Sequence, residues 1–418
     1  MSKNKIKIQI ESEIGELEGV ILHTPGPEVE NMTPENAERA LYSDILNLSV
    51  AQKEYAQLKG VLSKVTKTFE VKDLLTDILK NNDIKRTLTA RITGSCNVQD
   101  IENLLFEQSP EKLAELLIEG VPVQVNSLTD YLNHNFYRLD PLHNFFFTRD
   151  ASSAVNDTVL INRMANKIRK REALIMEAIF DFHPDFIART DNPENSRHFG
   201  KEIRMEGGDI IVPRKDILLI GTGTRTSSQG IDYIAKKIES REYPRHIIVQ
   251  ELPETPESFI HLDMVFTMLD NDKCMVYEPL IMKTTRFATL HLVVENGKIK
   301  SITEEANIPQ ILNKLGMPVE PVLCGGKNIK NQEREQWHSG ANFFAFAPGK
   351  IIGYERNNYT LEELVKNGFE PVKANDVISG KTDVNDYEKI VVTVPGSELA
   401  RGGGGARCMT MPVRRKLL

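Results

Sequence analysis

The sequence is poor in cysteine. Its 418 residues include four, which are far apart and form no CxxC pair: Cys96, Cys274, Cys324 and Cys408. This spacing argues against a disulfide framework and against a zinc site built from cysteine ligands. We therefore expect a reducing, cytoplasmic location for the protein.

Long apolar segments and an excess of positive charge are also missing. No stretch approaches the ~18 apolar residues of a membrane-spanning helix. The first residues, MSKNKIKIQIESE, alternate lysine with isoleucine and lead into no apolar segment, so we expect no signal peptide. The 52 basic and 59 acidic residues give a formal net charge of −7. This balance argues against nucleic-acid and membrane partners and is compatible with a cationic substrate.

The length fits one large α/β domain or two domains. A strand–turn–strand pattern occurs in residues 19–23 with the PGP turn after them, and in residues 144–162, 206–221, 261–277 and 341–354. Helical patterns lie between several of these stretches. The repetition predicts quasi-repeated modules around an axis, although any α/β protein alternates strands and helices in this way.

Residues 70–128 differ from the rest because they are polar, favour helix and carry few strand signals. We predict a helical insertion domain here, within an α/β catalytic domain of residues 1–69 and 129–418. Ser109 followed by proline predicts a helix start, and Gly120 predicts its end. A helix before the insertion is predicted to open at Thr33 and to continue through the 40s and 50s.

A further helix is predicted late in the chain, in the run TLEELVKNG. Thr360 and Glu363 have the spacing of a capping box, in which each side chain bonds a free backbone N–H group. Gly368 is the predicted stop.

Two acidic segments carry candidate site residues. In NFFFTRD, Asn144 and Asp150 flank an apolar run, although Arg149 and Asp150 could form an ordinary surface ion pair. In MEGGDII, Glu206 precedes two glycines that allow a ligand close to the backbone. The alternative for Glu206 is an exposed carboxylate in a tight turn.

The run HLD offers a histidine and an aspartate two residues apart. On a strand, His261 and Asp263 would face the same side and could enter one cavity. The alternative is a core histidine that is hydrogen-bonded by an aspartate. A metal site needs a third ligand, and the sequence offers none with suitable spacing.

Arginine side chains suit the recognition of a carboxylate. Arg225 follows a predicted strand among glycine and threonine, which favours a binding role. Arg169 lies in IRKRE, where a solvated basic helix face is the alternative.

The run RGGGGARCMTMP places a thiol behind four glycines. A flexible linker is one interpretation. A loop that folds tightly over a ligand and presents Cys408 accounts better for the residues that follow the glycines.

Together these groups form a cysteine-nucleophile site. Carboxylates beside a thiol raise its pKa and suppress the thiolate. A cationic substrate would neutralise them and favour the thiolate, which points to a guanidinium group.

The motifs NFFFTRD, MEGGD, GTRTS, ESFIHLDMVFTMLD and GGGGARCMTMP, in this order, resemble those of bacterial arginine deiminases. The likeness runs from LHTPGPEVENMTPEN to CMTMPVRR, nearly the whole chain. It implies a five-bladed pseudo-symmetric α/β propeller of the guanidine-modifying (pentein) superfamily, with a helical insertion. It further implies hydrolysis of L-arginine to L-citrulline and ammonia, no metal or other cofactor, and a homo-oligomer.

The resemblance also implies roles for individual residues. Cys408 is expected to be the nucleophile and His261 the general acid and base, with Glu206 beside it. Asp150 and Asp263 are expected to hold the guanidinium. The residues expected to bind the rest of the substrate, including its α-carboxylate, are Asn144, Arg169, Arg225, Arg401 and Gly405. Some relatives have an arginine where this chain has Gly403.

Two other functions stay open from the sequence. One is a different guanidine-modifying activity, either agmatine deimination or amidino transfer, and agmatine has no α-carboxylate to bind. The other is an inactive protein that binds arginine.

Overall fold

The computed structural model describes residues 5–32, 44–125, 127–132, 136–196, 202–238 and 245–418. Within these ranges the fold is mixed α/β. No helix in them is both long and apolar enough to cross a membrane.

One structural unit recurs in five of the sheets formed by these ranges. An antiparallel pair of strands is followed by a third strand, which runs parallel to the second. The first unit consists of Met411–Arg415, Leu17–Leu22 and Lys67–Glu70, and the second of Ser152–Val155, Thr158–Ile161 and Arg189–Asp191. The third unit consists of Ile210–Arg214, Ile217–Thr222 and Arg245–Glu251, and the fourth of Phe266–Met268, Lys273–Val276 and Glu320–Leu323. The fifth unit consists of Phe344–Ala347, Lys350–Tyr354 and Ile390–Val394.

Four of these antiparallel pairs are the hairpins predicted from the sequence. The first predicted stretch forms a single strand, Leu17–Leu22, and its antiparallel partner comes from the C-terminal end of the chain. That pairing brings the strand after Cys408 into the first unit.

Further strands extend this framework. Thr289–Glu295 and Lys298–Glu305 continue the third sheet, and Glu370–Lys373 continues the fifth. Two short pairs complete the described strands: Ile6–Lys7 with Phe186–Ile187, and Val121–Pro122 with Tyr137–Leu139.

Helices connect the strands within the units. The described α-helices are Pro27–Glu30, Leu48–Val65, Val71–Leu79, Asn82–Cys96, Glu102–Phe106, Pro110–Glu119, Leu128–Leu132, Lys170–Phe182, Ser228–Lys237, Glu278–Ile281, Ile308–Lys314, Ile329–Trp337, Asn358–Lys366 and Ala374–Ile378.

The helix predicted between Ser109 and Gly120 is confirmed, and the Ser109 side chain accepts a hydrogen bond from the Lys112 N–H group. The predicted start at Thr33 lies outside the described residues. The helix found next in the chain begins at Leu48, after the N-cap residue Asn47.

The capping box predicted at Thr360 is wrong. The helix begins two residues earlier, at Asn358, so Thr360 lies inside its first turn. The buried Glu335 carboxylate accepts hydrogen bonds from the backbone N–H and the hydroxyl of Thr360, at 2.7 and 2.6 Å. The carboxylate of Glu335 thus takes the place that the capping box gives to the carboxylate of Glu363. The predicted stop is confirmed, because the helix ends at Lys366 and Gly368 has a φ of +87°.

Residues 71–119 contain helices and no strand. Two of these helices, Val71–Leu79 and Asn82–Cys96, pack against helix Lys170–Phe182. The buried side chains of the segment share one apolar cluster with the second and third units. The segment therefore has no separate core of its own.

Candidate active site

The ends of the repeated strands meet at one cavity of about 250 Å³. Asp150, Asp263 and Cys408 each lie two or three residues before the first strand of a unit, and Glu206 lies four residues before one. The cavity lining includes six of the predicted residues: Asn144, Asp150, Arg169, Arg225, His261 and Cys408. Glu206 and Asp263 are fully buried next to it.

Asp150 is fixed through its own backbone. Its carbonyl oxygen accepts hydrogen bonds from the N–H group of Gly207, at 3.1 Å, and from the side chain of Asn162, at 2.7 Å. Arg149 and Asp150 do not form the surface ion pair considered above. Both are buried, and the Arg149 Nε donates to the carbonyl oxygen of Arg407.

His261 lies between two carboxylates of the site. Its Nε2 lies 2.9 Å from Oε2 of Glu206, and its Nδ1 lies 3.8 Å from Oδ1 of Asp150. Burial alone would lower the pKa of His261, but Asp150, Glu206 and Asp209 raise it from 6.5 to about 9. The histidine is therefore an imidazolium at neutral pH.

The glycines after Glu206 permit this arrangement. A Cβ atom on Gly208 would lie 2.4 Å from Nδ1 of His261, and one on Gly207 would lie 1.9 Å from the carbonyl oxygen of Arg149. Glu206 is fully buried and is not the exposed turn carboxylate of the alternative interpretation. Burial favours its neutral form, but Arg225 and His261 outweigh burial and lower the pKa of Glu206.

The prediction that His261 and Asp263 lie on one strand is wrong. Residues Leu262–Met264 form a turn of 3-10 helix, and the strand begins only at Phe266. The N–H group of Leu262 donates to Oδ1 of Asp209 at 2.9 Å, which fixes this turn. The two side chains thus reach different parts of the site.

Cys408 lies beside Asp263. The Sγ atom is 3.8 Å from Oδ2 of Asp263, and Nη1 of Arg407 lies 2.8 Å from the same oxygen. Burial, with the negative charges of Asp263 and Asp150, raises the pKa of the Cys408 thiol well above its ordinary value. Burial also raises the pKa of Asp263, against the effect of Arg407. The thiol is therefore protonated in this state.

Two arginine side chains form ion pairs with carboxylates of the site. Arg169 Nη1 lies 2.8 Å from Oδ2 of Asp150 and 3.9 Å from Oε2 of Glu206. Arg225 Nη1 lies 3.3 Å from Oε2 of Glu206. Both arginines are buried, so the solvated helix face suggested for Arg169 is wrong. Arg169 precedes helix Lys170–Phe182 and is held by Glu172, 2.8 Å from its Nη2.

The fold also assembles a group that sequence spacing does not predict. Asp150, Glu206 and His261 offer atoms of metal-ligand type that lie within 4.8 Å of one another. The nitrogen atoms of Arg169 and Arg225 contact the same carboxylates. This group therefore suits a planar cation that donates several hydrogen bonds.

The glycine run is a packed loop and not a linker. A Cβ atom on Gly404 would lie 2.5 Å from the ring of Phe147, and the Gly404 carbonyl accepts a hydrogen bond from the Tyr354 hydroxyl at 2.8 Å. Gly403 has open space around it, but its φ of +84° favours glycine.

The start of the same loop is held by helix Leu48–Val65. The buried carboxylate of Glu54 accepts hydrogen bonds from the N–H groups of Ser397 and Leu399, at 2.7 and 2.9 Å.

The cavity therefore joins a thiol, an imidazolium and several carboxylates, and comparison with known proteins identifies the family of the chain. A family model for arginine deiminase matches residues 38–415. The chain belongs to the arginine deiminase family.

Among curated members of this family, the enzyme of Borrelia duttonii (strain Ly) is 33% identical, with 98% of each chain covered. That of Bacillus cereus (strain B4264) is 31% identical, with 99% of each chain covered.

Solved structures of distant proteins share the fold. SxtG, an amidinotransferase from Microseira wollei, matches with a TM-score of 0.53 at 15% identity, over 99% of this chain and 98% of the other. The N-terminal domain of ArgZ, an arginine dihydrolase from cyanobacteria, matches with a TM-score of 0.52 at 14% identity, over 95% of this chain and 97% of the other. The chain thus shares its mixed α/β fold with these two proteins.

Two predicted substrate-binding residues do not line the cavity. Arg401 lies at the surface and pairs with Asp44 and with Glu398. Gly405 packs against Asn342, whose Oδ1 would lie 2.6 Å from a Cβ atom at this glycine.

Sequence reasoning missed three buried residues around the nucleophile. Arg407 pairs with Asp263 and with Glu13, 3.1 Å from its Nη2. Asn342 contacts Cys408 itself. The sequence does contain signals for two of them. Arg407 is next to the cysteine, and Asn342 lies at the start of the fifth repeated stretch. Nothing around Glu13 in the sequence marks it.

Proposed function

We propose that the protein is an arginine deiminase that hydrolyses free L-arginine to L-citrulline and ammonia, with Cys408 as the covalent nucleophile. The observation that carries this proposal is the placement of Cys408 at the cavity, 3.8 Å from Asp263. Such a thiol is suppressed by anions until a cation neutralises them. Family membership supports the same substrate.

The side chain of Arg169 supports a guanidinium substrate by analogy. Its own guanidinium lies within hydrogen-bonding distance of Asp150 and near Glu206. A substrate guanidinium that bound these carboxylates would replace that contact and would free Arg169 to turn towards the substrate's α-carboxylate. The substrate cation would also favour loss of the thiol proton from Cys408.

In the first half of the reaction, the Cys408 thiolate attacks the guanidinium carbon and a C–S bond forms. The His261 imidazolium gives its proton to the departing nitrogen, the C–N bond breaks, and ammonia leaves. Asp150, Glu206 and Asp263 hold the nitrogens and stabilise the tetrahedral adduct. An S-alkylthiouronium remains on Cys408.

In the second half, neutral His261 accepts a proton from water, and the resulting hydroxide attacks the same carbon. The C–S bond breaks, the proton left on the new oxygen passes to solvent, citrulline forms, and Cys408 returns as a thiolate. Glu206, 2.9 Å from Nε2, stabilises the imidazolium that this step regenerates.

Recognition of the rest of the substrate is assigned to Asn144, Arg169 and Arg225, which line the cavity. Arginines suit a carboxylate because their donors match its two oxygens. Arg401 and Gly405 keep the same proposed role in a loop conformation closed over the substrate.

The substrate assignment is tested by measuring ammonia release from arginine, agmatine and methylated arginines side by side. We expect arginine to be preferred, because agmatine lacks a carboxylate. Preference for agmatine, or amidino transfer to an amine, would favour another guanidine-modifying activity. Binding of arginine without ammonia release would favour an inactive binding protein.

We further propose that the five units surround a common axis as a five-bladed propeller. Their shared strand order and the convergence of their strand ends on one cavity support this. Residues 70–128 are proposed as a helical insertion domain, in support of which residues 71–119 contain helices and no strand. A homo-oligomer and a cytoplasmic location complete the proposal.

A further inference from the structure

The fifth repeated unit contributes a polar side chain to the site in the same position as the others. Asn342 lies two residues before strand Phe344–Ala347, as Asp150 lies two residues before strand Ser152–Val155. The side chain of Asn342 is buried and directed at the nucleophile, with Nδ2 lying 3.2 Å from Sγ of Cys408.

The orientation of the Asn342 amide is fixed by its backbone partners. Oδ1 lies 2.9 Å from the backbone N of Arg407 and 3.3 Å from that of Cys408, and these N–H groups can only donate. Nδ2 lies 3.1 Å from the carbonyl oxygen of Asp263, which can only accept. An amide rotated by 180° would lose these bonds, so Nδ2 keeps its second hydrogen for a sulfur atom. Sγ of Cys408 is the nearer one at 3.2 Å, and Sδ of Met264 lies farther away at 3.7 Å.

We infer that Asn342 is a further catalytic residue of this enzyme: its Nδ2 donates a hydrogen bond to the Cys408 sulfur, stabilises the thiolate and aims it at the substrate carbon. The Asn342 amide provides a neutral side-chain donor beside a thiol that also faces the carboxylates of Asp263 and Asp150. The same residue joins the Cys408 loop to the Asp263 turn. Gly405 is required here because any side chain would strike Oδ1 of Asn342.

The size of the effect follows from the charge of the acceptor. A hydrogen bond to a charged group contributes enough that its loss slows a thiolate reaction by about 10- to 100-fold. Asn342 does not belong to the cavity lining described above, so substrate binding is expected to change little. The loss should therefore fall on kcat, with KM within about threefold of its original value.

The experiment compares Asn342→Leu, which loses the donor and the acceptor without adding charge, with Asn342→Asp, which keeps the acceptor. Alkylation of Cys408 by iodoacetamide is followed against pH in the full chain, and peptides are resolved by mass spectrometry. The alkylation rate does not depend on arginine turnover. Failure of this inference is thus distinguishable from failure of the proposed function, on which its catalytic part rests. Asn357→Ala, another buried asparagine, is the matched control.

We expect alkylation of Cys408 and kcat to fall by about 10-fold or more in both Asn342 variants and to stay unchanged in Asn357→Ala. Wild-type rates in Asn342→Asp would assign Asn342 to loop structure through Oδ1 and overturn the inference. Wild-type rates in Asn342→Leu would also overturn the inference, because any loss seen in Asn342→Asp would then come from the added negative charge and not from the missing donor. If Asn342→Leu does not fold, Asn342→Ala takes its place, with the same expected loss and the same contrary result.

Discussion

Oδ2 of Asp263 lies between the Cys408 thiol and a buried arginine, 3.8 Å from Sγ of Cys408 and 2.8 Å from Nη1 of Arg407. Arg407 lies two residues after the glycine run and turns its side chain away from the cavity, towards Asp263 and Glu13. The charge of Arg407 favours the ionised form of Asp263, which can then bind a guanidinium nitrogen. Adjacent residues of one loop thus provide the thiol and control the carboxylate beside it.

Removal of the Arg407 charge is expected to destabilise the fold. Arg407→Leu removes the cation paired with the buried Asp263 carboxylate and weakens the pairing of Glu13, near which Arg149 and Arg415 remain. This change costs about 3–5 kcal/mol in the free energy of unfolding. Urea unfolding followed by circular dichroism measures the loss. Arg401→Leu is the control, because its ion pair with Asp44 lies at the surface and should contribute nothing measurable. An equal, small loss in both variants would contradict the role given to Arg407.

The pH dependence of turnover should report the charge on His261. Because Asp150, Glu206 and Asp209 raise the pKa of His261 to about 9, the imidazolium persists at neutral pH and is lost as the pH rises through about 9. We therefore expect kcat/KM for arginine to fall above that pH. The same shift stabilises the folded state fully below pH 6.5 and contributes nothing above about 9.

Glu206→Gln tests the cause of that shift. Loss of the carboxylate 2.9 Å from Nε2 lowers the pKa of His261, so the alkaline fall in kcat/KM should move to lower pH. If the maximum of kcat/KM falls but the midpoint of its alkaline fall stays at the same pH, Glu206 is not a cause of the raised pKa of His261.

Arg225 is expected to control the choice between arginine and agmatine. Arg225→Ala removes a donor to the substrate carboxylate, which should lower kcat/KM for arginine by about 10- to 100-fold and leave agmatine turnover almost unchanged. Arg204→Ala removes a nearby exposed arginine and should change neither. If both substrates lose rate equally, Arg225 acts through Glu206 and not through the carboxylate.

The glycine loop should tolerate substitution unequally. Gly404→Ala places a Cβ atom 2.5 Å from the Phe147 ring and 3.0 Å from Cβ of Cys408. Displacement of the thiol by about 1 Å is expected to lower kcat about 100-fold. Gly403→Ala meets no atom and only strains a left-handed backbone, so its loss should be smaller. Equal kcat values for the two variants, measured as ammonia release, would refute this order.

Local signals predicted the parts of the fold that depend on neighbours in sequence. The hairpin of residues 144–162 turns at Asn156, whose φ is +54°, and Ser109 and Gly120 bound their helix as predicted. The capping box at Thr360 failed because Glu335 competes for the same N–H group from 25 residues away.

Candidate site residues could be predicted from the sequence, but the contacts between their side chains could not. Motif order pointed to Cys408 and His261, which line the same cavity. No local rule connects Asn342 with Cys408, 66 residues apart, or Arg407 with Asp263, 144 residues apart. Glu54 bonds the Ser397 N–H group across 343 residues. These contacts depend on the return of the C-terminal strand to the first unit, which sequence pattern does not reveal.

The most direct test of the account is a mass measurement on the Cys408 peptide. A His261→Ala variant is mixed with arginine, quenched in acid and digested. Loss of the general base should slow hydrolysis of the S-alkylthiouronium and let it accumulate. We predict a mass increase on Cys408, none on Cys96, Cys274 or Cys324, and no citrulline from Cys408→Ser. An adduct on another cysteine, or near-normal citrulline formation by Cys408→Ser, would contradict the account.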